Sequence, residues 1–136
     1  MSDGTTPSAD VLMGTLDAYF AAIAARDPKR IASMFVLDGE IEDPVGSPTR
    51  HGRDEIAGLF ASGVASLASD VEIEVLAALP SGSSIAAHWA MTARGKAGGE
   101  VKAEGIDVLQ VNEHGLIVRA EGYWNAAGFR QALAAA

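Results

Sequence analysis

The fold is decided by the stretch DVEIEVLAALPSGSSIAAHWAMTARGKAGGEVKAEGIDVLQVNEHGLIVRAEGYW, residues 70–124. Its apolar residues recur at every second position, as in the alternate apolar positions from Val71 to Leu79, which is the period of a strand with one buried face. The segments PSGS, GKAGG and NEHG interrupt the alternation with turn-forming residues. The stretch therefore predicts consecutive antiparallel hairpins. The predicted strands cover residues 71–79, 84–94, 100–111 and 116–124.

The residues before this stretch follow a helical period instead. A first helix is predicted from the capping residue Ser8 to about Arg26, and the start signals at Pro28 and near Arg53 predict two more. A short helix is predicted within residues 125–136. Helices followed by hairpins predict an α+β fold, with helices on one face of a curved antiparallel sheet and a conical pocket between them. The buried face of the first helix is predicted to carry Leu12, Leu16, Tyr19, Phe20 and Ile23.

Length and composition indicate one globular domain. The chain has 136 residues, of which 1–7 are predicted to form a flexible tail and 8–136 the domain. The formal net charge of −8 argues against nucleic acid as a partner. The longest apolar run, residues 18–25, is far shorter than the ~20 residues of a membrane span, and no secretory signal is visible. We therefore expect a cytoplasmic protein without a membrane partner.

Cysteine and histidine usage bears on cofactors. The chain has no cysteine, which excludes disulfides, thiolate nucleophiles and cysteine-based metal sites. Its three histidines are dispersed and show no metal-ligand spacing. We therefore expect neither a metal nor an organic cofactor.

Three polar side chains fall at positions where apolar ones are expected. Tyr19 lies within the buried face of the first helix, Asp43 shares a strand side with Ile41, and Asp107 shares one with Leu109. A carboxylate among apolar residues is unfavourable unless it is paired or protonated. These residues are therefore candidates for chemistry inside the predicted pocket.

Each candidate also has an ordinary structural interpretation. Asp43 precedes a proline and fits a turn carboxylate. Asp107 fits an ion pair with Arg94 or Arg119 on a neighbouring strand. Tyr19 fits a core tyrosine whose hydroxyl is hydrogen-bonded. The residues alone leave both interpretations open.

Two segments resemble the ketosteroid isomerase (steroid Δ5-isomerase) family. They are IEDPVGSP, residues 41–48, and HGRDEI, residues 51–56. The segment IDV at 106–108, the following NEHG and the dipeptide YW at 123–124 fit the same family. The resemblance extends over about residues 12–125. It implies the cone-shaped α+β fold of the superfamily that includes nuclear transport factor 2.

The resemblance also implies a division of roles, taken here from that family rather than from the residues. Asp43 matches the general base, Tyr19 the tyrosine that donates to the ketone oxygen, and Asp107 the protonated acid that donates to the same oxygen. Trp124 matches an aromatic residue near the base. The implied activity is a cofactor-free isomerase that moves the C5–C6 double bond of a 3-oxo steroid into conjugation through a dienolate.

The pocket wall and the assembly are further expectations. Phe35 and Phe60 occupy positions where some family members have tyrosines that support the oxyanion tyrosine, so that supporting network is absent here. The expected ligand is a small hydrophobic steroid ketone, and the resemblance implies a homodimer formed through the sheet. The residues predicted to contact the substrate are Trp124, Phe60, Phe35, Trp89 and Met91.

Two other classes of function remain open from the sequence. One is a related enzyme on the same fold, of the polyketide cyclase or epoxide hydrolase type. A hydrolase of this type requires an arginine between Asp43 and Asp107, so Arg94 or Arg119 would have to point inward. The other is a non-catalytic binding module, which an apolar pocket without buried carboxylates would favour.

Overall fold

The computed structural model describes residues 6–136. Residues 1–5, which make up most of the predicted tail, lie outside the described residues, and Pro7 is already buried. None of the described helices is long and apolar enough to cross a membrane. The helices are α1 (Ala9–Ala24), α2 (Pro28–Ser33), α3 (Gly52–Ser62), α4 (Val64–Leu67) and α5 (Ala126–Ala135). The strands are β1 (Phe35–Glu42), β2 (Arg50–His51), β3 (Ala68–Ser81), β4 (Ser84–Gly95), β5 (Glu100–Val111) and β6 (Ile117–Tyr123).

The six strands form one open sheet in the order β2-β1-β6-β5-β4-β3. All neighbouring strands are antiparallel except β1 and β6, which pair in parallel. Helix α1 packs against β3, β4 and β5, and α3 packs against β1. The face of the sheet that contacts the helices is called the inner face below. The core between this face and the helices contains residues such as Leu16, Ile41, Ile85 and Leu109. The predicted α+β architecture is confirmed.

Side-chain caps explain where three of the helices begin. The Ser8 hydroxyl accepts a hydrogen bond from Val11 N at the start of α1. Asp27 caps α2 through Arg30 N, and Asn125 caps α5 in the same way. Each cap satisfies a backbone N–H that the helix itself leaves without a partner.

A bulge in β3 corrects the sequence prediction for the end of that strand. Val75 pairs with Trp89 and Ala77 with His88, so Leu76 is an extra residue in β3. An extra residue reverses which side chains face inward. Leu79, predicted on the buried side, is therefore 74% exposed.

The short elements β2 and α4 were not predicted. They contain two and four residues, too few for a period to show in the sequence. The first residue of α4, Val64, lines the cavity described below. The longer strands β4, β5 and β6 agree with their predicted ranges to within one residue at each end.

Candidate active site

A cavity of about 50 Å³ lies between the helices and the inner face of the sheet. All but two of its lining residues are apolar or aromatic, and the two exceptions are Asp43 and Asp107. A mostly apolar cavity with a few polar groups is the usual form of a small-molecule site. The lining residues are Phe20, Ile23, Asp43, Phe60, Val64, Ile73, Trp89, Met91, Asp107 and Trp124.

Asp107 lines this cavity from the inner face of β5. It pairs with Ala87 of β4, which makes Trp89 its diagonal neighbour on the same face. The Trp89 Nε1–H donates to Asp107 Oδ1 at 3.0 Å. The Asp107 side chain is 4% exposed, and no ion pair among residues 6–136 includes it.

The surroundings of Asp107 favour its protonated form. Burial raises the pKa of Asp107 well above its ordinary value, and the negative charge of Asp43 raises it further. The hydrogen bond from Trp89 lowers the pKa but does not reverse the shift. A neutral carboxyl carries a proton that it can donate to a ligand oxygen.

Asp43 directly follows β1, beside Gly122 of β6, and precedes a cis peptide bond to Pro44. The Trp124 Nε1–H donates to Asp43 Oδ1 at 2.7 Å. Burial raises the pKa of Asp43 to about 6, and the hydrogen bond from Trp124 lowers it. With this pKa the carboxylate is mostly ionised at neutral pH, yet it is a stronger base than an ordinary aspartate.

Tyr19 lies on the buried face of α1, and its side chain is fully enclosed. Its hydroxyl has no hydrogen-bond partner among the described residues. Burial raises the pKa of Tyr19, and the charges of Asp107 and then Asp43 raise it further. The hydroxyl therefore stays protonated, and it lies near enough to both carboxylates for their charges to affect it.

The aromatic residues predicted to contact the substrate fall into two groups. Phe60, Trp89 and Trp124 line the cavity, as does Met91. Phe35 is fully buried, and its ring meets that of Tyr19 edge-on at a centroid distance of 6.0 Å. The structure therefore places Phe35 behind Tyr19, where it supports the tyrosine ring, and not on the cavity wall.

Two glycines inside strands allow the tryptophans and Asp43 to approach the sheet. A Cβ atom at Gly105 would lie 2.4 Å from Trp89 Cζ2 and 2.8 Å from Trp124 Cβ. A Cβ atom at Gly122 would lie 2.6 Å from Asp43 Cγ. Neither contact is possible for a side chain without displacement, so both positions require glycine.

The arginines considered as partners of Asp107 face the opposite side of the sheet or solvent. Arg119 binds three glutamates on the outer face of the sheet, whereas Arg94 pairs with Glu100 at 3.4 Å. The interpretation of Asp107 as half of an ion pair with either arginine is wrong. The inward arginine that an Asp–Arg–Asp hydrolase site requires is also not provided by Arg94 or Arg119.

A second chamber of about 80 Å³ lies beside the first. The two share Asp43, Phe60, Val64 and Trp124, so they are adjacent. We call the first the inner chamber and the second the outer chamber. The lining residues particular to the outer chamber are Pro44, Leu59, Gly63, Ala126 and Arg130.

A larger, open groove crosses strands β3, β4 and β5 elsewhere on the molecule. It is lined in part by Glu72, Glu74, Lys102 and Glu104, which are exposed. It contains no buried titratable group, so its charged residues keep their contact with water. The enclosed chambers, with their buried carboxylates, are therefore the better candidate for chemistry.

Sequence reasoning missed three features of this site. It assigned Trp89 to the pocket wall without its hydrogen bond to Asp107, and it did not single out Gly105 and Gly122. A glycine inside a strand often marks a place where another group lies close to the backbone, so the sequence did contain a signal for Gly105 and Gly122. Arg130, an exposed residue on α5, carried no such signal.

Comparison with known proteins bears on the family and the fold. The SnoaL-like domain, a member of the superfamily that includes nuclear transport factor 2, matches residues 16–120. The epoxide hydrolase/cyclase-like enzyme SalBIII, which has a role in pyran ring formation in polyether salinomycin, has a TM-score of 0.75 and 25% identity. That match covers 87% of this chain and 93% of SalBIII.

Two further structures share the fold at lower identity. RV0760c from Mycobacterium tuberculosis, in complex with estradiol-17beta-hemisuccinate, has a TM-score of 0.73 and 21% identity over 86% of this chain and 95% of that one. A computationally designed 17-OHP binder has a TM-score of 0.73 and 20% identity, with the same coverage. At these identities the likeness concerns the fold alone. The predicted fold of the superfamily is confirmed.

Proposed function

The chain belongs to the SnoaL-like domain family, and from this premise we propose that it is a cofactor-independent isomerase of 3-oxo steroids. It would move the C5–C6 double bond of the steroid into conjugation with the ketone. One observation carries the proposal: two buried carboxylates with different surroundings line one apolar cavity, and the Tyr19 hydroxyl, without a hydrogen-bond partner among the described residues, lies near enough to both for their charges to raise its pKa. The assignment is finer than the family match and rests on this site.

Asp43 is suited to remove and return the proton. Its pKa of about 6 leaves it ionised at neutral pH, and its place between the two chambers gives it access to the middle of a bound ring system. In the proposed reaction it takes a proton from C4, next to the ketone, and the electron pair moves into a dienolate. It then gives the proton to C6, which restores the carboxylate and leaves the conjugated enone.

Tyr19 and Asp107 are suited to stabilise the dienolate oxygen. Both have raised pKa values because they are buried, so both keep the proton that a donor needs. Donors fixed in a water-poor cavity interact strongly with a charge that develops during the reaction. Because Trp89 occupies Asp107 Oδ1, Asp107 Oδ2 is the oxygen left to carry the proton.

The apolar wall is suited to a flat hydrocarbon. Trp89 and Trp124 meet edge-on with their centroids 5.4 Å apart, and Phe60 and Met91 complete the sides of the inner chamber. Two structures of this fold hold or were designed for steroids, so the fold can enclose such a ligand. Moving one proton between two carbons of the same molecule requires no metal or nucleotide.

A second candidate is a cyclase of the SalBIII type, which the likeness to that enzyme favours. Opening an epoxide with an internal hydroxyl requires one acid and one base, and Asp107 and Asp43 could supply them. The two candidates differ in substrate, because a cyclase acts on a flexible epoxy alcohol whereas the isomerase acts on a rigid ring ketone.

The proposal is tested with a 5-ene-3-oxo steroid as substrate. We expect conversion to the 4-ene-3-ketone without added metal or nucleotide, measured as an increase in enone absorbance. A chelator should not reduce the rate of this conversion. A planar steroidal phenol should bind as a mimic of the dienolate, and Asp107→Leu or Tyr19→Phe should weaken its binding. Binding of the phenol without conversion of the ketone would indicate a binding module, and turnover of an epoxy alcohol alone would indicate the cyclase.

A further inference from the structure

Arg130 stands out because it is the cationic residue among those that line the two chambers. It lies on α5 and faces the outer chamber, which also contains Asp43. The shared wall residues make this chamber the neighbour of the inner one, where Asp107 lies. A ligand with its oxygen at Asp107 would therefore extend past Asp43 toward Arg130.

The guanidinium of Arg130 is not committed to a carboxylate. Its Nη2 donates to the Ser62 carbonyl oxygen at 3.3 Å, and no ion pair among residues 6–136 includes it. Arg119, by contrast, is surrounded by three glutamates. Arg130 thus keeps donors that can bind an anion, and a guanidinium binds a carboxylate through two parallel hydrogen bonds.

The start of α5 adds to the positive potential of the outer chamber. Ala126, the first residue of this ten-residue helix, lines the chamber. The N-terminal end of a helix carries a partial positive charge. The outer chamber therefore combines an arginine and a helix N-terminus with Asp43, whereas the inner chamber contains Asp43 and Asp107 and no cationic residue.

We propose that the outer chamber is a binding subsite for a carboxylate, so that the ligand is a ring ketone with a carboxylate at the end remote from the ketone. This inference rests on the proposed function for the orientation of the ligand, with its ketone oxygen at Tyr19 and Asp107. The net charge of −8 repels anions at a distance. The subsite therefore acts at short range, on a ligand already held by the apolar walls.

The test compares two probes that differ only at the remote end. Estradiol offers a phenol to the inner chamber and a neutral hydroxyl to the outer one, whereas estradiol 17-hemisuccinate offers a carboxylate there. The chain has two tryptophans, and both line the inner chamber, so quenching of tryptophan fluorescence reports occupancy directly. We expect the hemisuccinate to bind about 3- to 10-fold more tightly, because exposed arginine–carboxylate pairs are modest in strength.

Arg130→Gln should abolish this preference, and Arg130→Glu should reverse it. Arg94→Gln is the matched control, because it removes an equal charge outside both chambers and should leave the preference unchanged. The preference of the wild-type protein should also fall as salt is added. Equal affinity for the two probes in the wild-type protein, or a preference that Arg130→Gln leaves intact, would overturn the proposal.

The outcome is separable from that of the isomerase proposal. Turnover of a neutral 5-ene-3-oxo steroid tests the reaction, whereas the ratio of the two dissociation constants tests the subsite. A protein that binds the hemisuccinate preferentially but does not isomerise the ketone would retain the subsite and lose the isomerase assignment. A protein that isomerises the neutral ketone but binds the two probes equally well would retain the isomerase assignment and lose the subsite.

Discussion

Glu42 and Asp43 are neighbours in the chain, yet they lie on opposite faces of the sheet in opposite electrostatic surroundings. On the outer face, Glu42 Oε1 accepts a hydrogen bond from Arg119 at 2.8 Å, and Arg119 also binds Glu40 and Glu121. On the inner face, Asp43 accepts a hydrogen bond from the neutral indole of Trp124.

The difference separates carboxylates that hold the structure from carboxylates available for chemistry. Around Arg119, a full positive charge compensates the glutamates that it binds, and the resulting cluster joins β1 to β6. An indole N–H supplies a hydrogen bond but no charge, so burial dominates and raises the pKa of Asp43 and Asp107. The alternation of side chains along β1 thus places a structural acid and a candidate base on consecutive residues.

The largest expected effect comes from substituting Asp43 and Glu42 in turn and comparing the two variants. Asp43→Asn keeps the size of the side chain but removes the basic oxygen, so it should lower kcat by about 10²–10⁴-fold or more. Glu42→Gln, one residue away, should change kcat by less than about threefold, because Glu42 faces away from the cavity. Steady-state rates of steroid isomerisation measure both.

The phenol-binding assay provides the control for this pair. Asp43→Asn should still bind a steroidal phenol tightly, which shows that the site is intact. Near wild-type turnover by Asp43→Asn would refute the assignment of the base.

Tyr19 gives the next largest effect, and its outcome should separate activity from stability. Tyr19→Phe removes one oxyanion donor and should lower kcat by about 10²–10³-fold. Because the buried hydroxyl has no hydrogen-bond partner among residues 6–136, the variant should be at least as stable as the wild-type protein toward urea. Loss of stability together with activity would instead indicate that the hydroxyl is bonded in the folded protein.

The pH dependence should follow Asp43. Because the base must be ionised and its pKa is about 6, kcat/KM should fall roughly tenfold for each pH unit below that value. Glu42→Gln should leave the profile unchanged. A profile that stays flat down to pH 4.5 would contradict the pKa assigned to Asp43.

Stability should show the opposite trend with pH. The folded protein binds the proton of Asp43 more tightly than the unfolded chain does, because the pKa rises from 3.8 to about 6 on folding. The contribution of Asp43 to stability is therefore greatest below pH 3.8 and falls as the pH rises to 6. Asp43→Asn should remove this fall, so the variant should exceed the wild-type protein in urea midpoint at pH 8.

The smallest effect concerns the outer face. Arg119→Gln should reduce the free energy of unfolding by roughly 1–2 kcal/mol, because it leaves three partly exposed glutamates close together without their shared cation. Urea unfolding at low and high salt measures this, and salt should reduce the loss. An unchanged midpoint at low salt would show that the cluster does not stabilise the pairing of β1 with β6.

Much of the fold and part of the candidate site could be predicted from local sequence patterns. The alternation in β5 placed Asp107 on the same side as Leu109, and the structure buries both. The helical period placed Tyr19 on the buried face of α1. These predictions depended only on side-chain periodicity, which is a property of each element by itself.

Other features depended on contacts between elements and could not be predicted in this way. The bulge at Leu76 reverses which side chains of β3 face inward. Leu79 therefore faces solvent, although the apolar alternation continues in the sequence. The direction of Arg119 is fixed by the glutamates that surround it on β1 and β6. Pairing of distant segments decides both.

The sequence by itself determined the order of the longer elements, the inward side of β4, of β5 and of β3 up to its bulge, and the three polar residues in the apolar interior. Only the tertiary structure decided what those residues meet: an indole for each carboxylate, no protein partner for the Tyr19 hydroxyl among the described residues, and Arg130 at the outer chamber. The physical reason is that periodicity follows from backbone geometry within one element. A pKa and a cavity arise from groups that are far apart in the chain and close together only in the folded protein.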